Sequence, residues 1–176
     1  LVALNEINGI QLWEVNIENS NVGSASASLG DFASDPAVFG PTVFAVGAFG
    51  ETFATNTNGR VLWRNNIQSS GRIIVSGNAA YYTSNNSSLG RINAKNGKIM
   101  FLESLPGKKW VKYHGPILLQ NRLLVIATDK YGYWFSPDDG TLLNKVKLGS
   151  KISSPPIVAN KKLMFVSEDG TLNILN

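Results

Sequence analysis

An Asn-Gly or Asp-Gly pair recurs along this chain in a fixed frame, and that recurrence constrains the fold more than any other feature. Four segments align without gaps: Ala3–Trp13, Phe53–Trp63, Arg91–Phe101 and Trp134–Asn144. In each, the fourth residue after the glycine is Trp13, Trp63, Phe101 or Asn144. The glycines, Gly9, Gly59, Gly97 and Gly140, are separated by 50, 38 and 43 residues, which gives a period of about 42 with one insertion. Self-similarity on that scale marks stacked units that bury their apolar faces only against their neighbours.

Two further signatures keep the same phase. Gly50, Gly90, Gly132 and Gly170 each close an apolar stretch and open a short alternating one, at spacings of 40, 42 and 38. Short apolar segments at 36–39, 72–75, 115–118 and 156–158 each end in a turn, at Gly40-Pro41, Gly77-Asn78, Gln120-Asn121 and Asn160-Lys161. Three of them carry proline where a strand begins and no ladder donor is lost. Each period therefore reads as four short strands, the last bearing the aromatic. The Asn-Gly and Asp-Gly pairs between alternating segments predict type I′ hairpin turns, with positive φ at both central residues. Four antiparallel strands per period, with no 3.6-residue periodicity, describe a β-propeller blade in an all-β fold. The Gly-His and Trp-Asp dipeptides of WD40 repeats and the double glycine of kelch repeats are both missing.

The expected layout is the end of a blade at 1–17, full blades at 36–67, 71–105 and 115–149, and an incomplete blade at 154–176. Leu172–Asn176 occupies the repeat position of Leu1–Asn5, a shift of 171 residues. The chain thus starts and stops at one phase, with about four blades present, and reads as part of a longer propeller. Open blade edges of that kind predict self-association.

Composition narrows the chemistry. A 43% hydrophobic content supplies a core, and the absence of cysteine excludes disulfides and thiolate metal sites. A single histidine, His114, excludes His-rich zinc sites and the HExxH metalloprotease motif. The formal net charge of +4 permits anionic partners without requiring them.

The segment Ala3-x-Asn5-x-x-Asn8-Gly9-x-x-x-Trp13 resembles the tryptophan-docking repeat of PQQ-like β-propellers, Ala-x-Asp-x-x-Thr-Gly-Lys-x-x-Trp. The resemblance spans the chain in four copies. It implies that Gly9, Gly59, Gly97 and Gly140 take tight turns while Trp13, Trp63 and Phe101 pack flat between neighbouring blades. Asn5 replaces the acid, Asn8, Asn58 and Asn96 replace threonine, and Asn144 replaces the last aromatic. Two classes share the repeat: quinoprotein dehydrogenases, which seat PQQ and calcium, and the BamB-type outer-membrane assembly lipoproteins, which are eight-bladed periplasmic scaffolds without cofactor. Many of the dehydrogenases carry a vicinal disulfide, which a chain without cysteine cannot form, and three of the repeats here are lean. The closer resemblance is to the BamB type. It implies a non-enzymatic scaffold with no cofactor or metal, protein partners in an outer-membrane assembly complex, a periplasmic location at the outer membrane, and membrane attachment only through a lipid anchor absent from this chain. A fragment of a PQQ-dependent dehydrogenase is the alternative.

Loops joining the second strand to the third, and one blade to the next, fall on one face of such a fold. That face carries the insertion at Asn19–Asp35, rich in Ser, Ala, Asn and Gly, and a basic stretch from Gly107 to Gly115. Lys108, Lys109, Trp110, Lys112 and Tyr113, with Lys130 in the following loop, are the candidate partner-binding residues, through charge and stacking. Either Trp110 and Tyr113 pack beneath the blade with solvated lysines above, or they meet a partner. Nucleic acid is not the expected partner, although a basic propeller binding it through Lys108–Lys112 is a further alternative. Asp138-Asp139-Gly140 and Glu168-Asp169-Gly170 lack the alternating ligands of a calcium loop and read as turns. No catalytic, cofactor-binding or metal residue is expected.

Overall fold

The computed structural model describes residues 1–16, 32, 34–48, 51–108, 110–160 and 162–175. Gly50, Lys109 and most of the Asn19–Asp35 insertion lie outside the described residues. Every regular element among the described residues is a strand.

Among the described residues, seventeen strands form five antiparallel sheets. A two-stranded sheet pairs β1 (Val2–Leu4) with β2 (Gln11–Glu14). Three four-stranded meanders follow. The first comprises β3 (Ala37–Phe39), β4 (Thr42–Val46), β5 (Thr52–Asn56) and β6 (Val61–Asn65). The second comprises β7 (Ile74–Ser76), β8 (Ala79–Thr83), β9 (Ser88–Asn93) and β10 (Ile99–Ser104). The third comprises β11 (Tyr113–Leu119), β12 (Arg122–Ala127), β13 (Tyr131–Phe135) and β14 (Leu142–Lys147). A three-stranded sheet of β15 (Ile157–Ala159), β16 (Lys162–Val166) and β17 (Leu172–Leu175) ends the chain. The inner strands β3, β7 and β11 lie side by side, so the sheets fan out from a common axis as propeller blades do.

Burial explains why the second strand of each sheet reads as unbroken apolar sequence. A blade in the middle of a stack has a neighbour on both faces, so alternation disappears. Leu123, Val125 and Ala127 pack toward the preceding sheet with Tyr81 and Leu89, while Leu124 and Ile126 pack toward the following one with Ile152, Leu163 and Phe165. Phe44, Ala54, Trp63, Ile73, Tyr82 and Ile92 fill the interface between the first two meanders. The outermost strand faces water, and all six residues of β14 are exposed.

The docking aromatics interlock consecutive sheets. A Cβ at Gly59 would lie 2.6 Å from Cγ of Trp13, one at Gly97 2.7 Å from Cε3 of Trp63, and one at Gly140 2.6 Å from Cε2 of Phe101. Each ring therefore sits flat on the glycine of the next repeat, with contact that no side chain could share. Trp13 Nε1 donates to the Thr57 carbonyl at 2.8 Å and Trp63 Nε1 to the Ala94 carbonyl at 2.9 Å, so each indole satisfies its polar atom across the interface. Trp63 is buried, whereas Trp13 and Phe101 are half-buried. No described atom lies over Gly9, and Asn144 is exposed, its Oδ1 accepting from the Lys145 amide.

The hairpin turns correct one expectation. Positive φ occurs at Gly9, Gly59, Gly97, Gly140 and Gly170, and the preceding Asn or Asp is not among the positive-φ residues. These are therefore not type I′ turns. The loops are longer: Gly9, Gly97 and Gly140 donate back to Asn5, Asn93 and Ser136, and the ladder shifts register beside most of these turns. That is a helical turn closed by a left-handed glycine. The carboxamides stabilise it locally, Asn5 Oδ1 accepting from Ile7 and Asn8, and Asn96 Oδ1 from Lys98. Positive φ at both central residues, the type I′ signature, is found instead at Gln120 and Asn121 between β11 and β12. Pro116 also departs from the expected position. It lies inside β11 at a register irregularity between His114 and Ile117, where proline removes no regular ladder bond. Gly90 and Gly132 lie within β9 and β13, opposite Tyr82 and Ile126, and do not mark turns.

Candidate functional site

Antiparallel order places the connection from β10 to β11 and the turn from β12 to β13 on the same face, and hydrogen bonds tie them together. The Lys112 amide donates to Thr128 Oγ1 at 3.1 Å, and the Thr128 amide donates to the Lys112 carbonyl at 3.0 Å. The connection is also braced from within. Tyr113 Oη donates to the Pro106 carbonyl at 2.8 Å, and the Val111 amide to the Lys108 carbonyl at 3.0 Å. Gly107 has φ +141, and a Cβ there would lie 2.7 Å from Tyr113 Oη. The phenol thus closes the loop over a residue that has to be glycine.

The two candidate aromatics separate in this loop. Tyr113 is half-buried and structural, whereas Trp110 stands 81% exposed at the apex of a pinned connection. Lys108 and Lys112 lie close to it in sequence and Lys130 in the β12–β13 turn; all three are exposed, and none is ion-paired with an acid among the described residues. The acid nearest in sequence is committed elsewhere: Asp129 Oδ2 accepts from Tyr133 Oη at 2.9 Å, and Oδ1 from the Tyr131 amide at 3.3 Å. Burial, then this hydrogen bond, push the Tyr133 pKa far above the usual tyrosine value, so the phenol remains a donor to Asp129. Thr128 and Asp129 were not legible as site residues, because pinning a loop and withholding a carboxylate leave no spacing pattern.

Beside this loop, toward the axis, a cleft of about 1260 Å³ opens along the same face. Its lining includes Arg72, Asn85, Lys112, Tyr113 and His114 together with Pro156. Arg72 is ion-paired with Asp35 across its rim. Asn85 is consumed structurally, its Nδ2 donating to the Ala48 carbonyl and its Oδ1 accepting from Ser70. His114 lies in β11, opposite Ile126. Burial, and secondarily the Lys112 charge, lower its pKa below the ordinary histidine value, so the imidazole is neutral at pH 7. Because the unfolded chain then binds the proton more readily than the folded one, stability falls as pH drops below about 6.5 toward the folded pKa. His114→Gln should flatten the decline in melting temperature between pH 7 and pH 5. Equal declines in the two proteins would show that protonation of His114 costs nothing.

Among the described residues no three His, Asp or Glu side chains converge as a metal site would require. Hydrogen bonds from the Ser136 and Ser167 side chains, and then from the Thr141 amide at 3.1 Å and the Thr171 amide at 3.0 Å, lower the Asp139 and Asp169 pKa values and keep both carboxylates folded back into their own turns. These two carboxylates are therefore not arranged as calcium ligands.

The model of the family described as outer membrane protein assembly factor BamB matches residues 1–101. The chain belongs to the BamB family. BamB of Escherichia coli K12 is 24% identical over 166 residues, covering 93% of this chain and 42% of that protein. BamB of Alkalilimnicola ehrlichii is 26% identical over 178 residues, covering 99% of this chain and 46% of that protein. The crystal structure of BamB from Moraxella catarrhalis superposes with a TM-score of 0.81 at 16% identity, over 98% of this chain and 50% of that one. The chain therefore spans about half the length of these BamB proteins, and its sheets are a portion of a BamB-type propeller.

Proposed function

We propose that this chain is a non-enzymatic scaffold of outer-membrane protein assembly, acting on the periplasmic side of the outer membrane and binding protein partners through its loop face. The observation that carries the reading is the BamB family match, which runs through the first docking repeats and their glycine contacts. The structure supports a binding role in a specific way. Several polar side chains join sheets: Thr83 Oγ1 donates to the Gly115 carbonyl, Asn65 Nδ2 to the Gly97 carbonyl, and Arg91 Nη1 to the Pro137 and Asp138 carbonyls. On the loop face, Lys108, Trp110, Lys112 and Lys130 are exposed. Lys109 joins this set by sequence alone.

The affinity-tagged chain, mixed with detergent-solubilised outer membranes of a BamB-depleted strain, should retain components of the assembly machinery and no soluble periplasmic proteins. Addition of PQQ with calcium should produce no bound quinone absorbance. A stoichiometric quinone, or no retained assembly component, would overturn the reading.

A further inference from the structure

The loop carrying Trp110 combines three properties. The side chain is 81% exposed. The loop beneath it is held at both ends, by Tyr113 Oη on the Pro106 carbonyl and by the paired Lys112–Thr128 backbone bonds. Lys108 and Lys112 flank it in the chain, Lys130 lies in the β12–β13 turn whose Thr128 is bonded to Lys112, and none of the three is ion-paired with an acid among the described residues. A rigid aromatic loses little conformational entropy on binding, which is why tryptophan and arginine dominate interface energetics. Ammonium groups around such an anchor select a carboxylate-bearing partner and repel a basic one.

We propose that Trp110, with Lys108, Lys112 and Lys130, forms a docking site for an acidic protein segment that presents an apolar side chain to the indole between two or more carboxylates. This rests on the scaffold reading and specifies the chemistry of one partner. The cleft beside Lys112 and His114 gives the segment a direction in which to continue, toward Arg72 and the axis. His114, neutral at pH 7, adds no charge to the site. Arg72 is already neutralised by Asp35, so the cationic character is concentrated at the lysines.

The probe is a short fluorescein-labelled peptide alternating Asp or Glu with Leu and Phe, followed by anisotropy against the 176-residue chain. Controls are the same peptide with Lys replacing its acids, and an oligothymidylate. The acidic peptide should bind with an affinity that falls as salt rises, while the basic peptide does not bind. Trp110→Ala should weaken binding by roughly 30-fold, the scale of an interface hot spot. Lys108→Glu with Lys130→Glu should weaken it by at least about tenfold. Both variants should melt with the parent protein, since all three side chains are exposed; a variant that melts early is replaced by Trp110→Gln or by the single lysine changes. Equal binding of the basic peptide, undiminished binding by the variants, or tighter binding of the oligothymidylate would each overturn the proposal. Retention of assembly components by the Trp110→Ala protein would overturn this site while leaving the scaffold reading intact. Failure of the parent protein to retain them would count against the scaffold reading itself.

Discussion

Trp63→Ala is expected to lower the melting temperature by roughly 6–20 °C, the largest effect of any single aromatic truncation in the chain. The reasoning starts from where the ring sits. Trp63 is buried at 7% exposure in the interface between two complete four-stranded sheets, surrounded by Phe44, Ile73, Tyr82 and Ile92. Truncation removes that area from the core and leaves a cavity over Gly97, a combination that costs about 3–5 kcal/mol. It also deprives the Ala94 carbonyl of its indole donor. Trp13→Ala should cost clearly less, although the two residues occupy the same repeat position. Trp13 is half-buried and joins only the two-stranded sheet to its neighbour, so its loss frees β1 and β2 while the rest of the stack holds. Thermal melts of the two variants side by side measure the contrast. Equal shifts would mean that stability is not organised by successive sheet interfaces.

Gly90→Ala is the second large effect, and it arises from the opposite defect. Gly90 lies in β9 directly opposite Tyr82 in β8, and the Tyr82 ring folds back across it. A Cβ at position 90 would fall 2.2 Å from Cζ of Tyr82, far inside contact distance. Tyr82 is 2% exposed and packed in the same interface as Trp63, so the ring has no open space to retreat into. Overpacking a filled core costs about 1–3 kcal/mol, which for a chain of this size means a fall of roughly 2–12 °C. Tyr82→Leu should be destabilising alone yet should recover part of the loss when combined with Gly90→Ala. Strict additivity of the two changes would show that the ring does not occupy the space above Gly90.

The division between legible and illegible features follows from the range of the interactions involved. The meanders were legible because the repeat reports itself at every period, and Trp63 on Gly97 is a contact between residues of consecutive copies. The turn type was misjudged because Asn96-Gly97 looks like a two-residue turn until the Asn93 side chain and carbonyl extend the loop. Gly90 carried a periodic signal, yet its meaning is a cross-strand ring that only the register reveals. At the candidate site, the lysines and Trp110 could be read from composition, whereas the exposure of Trp110 depends on whether a neighbour covers it. The Asp129 carboxylate is hydrogen-bonded to Tyr133. Nothing in the order of residues announces it, because a turn aspartate next to lysine is equally able to pair outward.

The scaffold reading proposes that this portion of a BamB-type propeller meets its partners through the face formed by its inter-sheet connections rather than through the opposite, glycine-turn face. A photoreactive phenylalanine analogue placed singly at positions 110 and 130, and at the exposed hairpin positions 58 and 96, tests it in cells by ultraviolet cross-linking and immunoblotting for outer-membrane assembly components. Cross-links from 110 and 130, with none from 58 and 96, are the predicted result. Cross-links from the hairpin positions alone would contradict it.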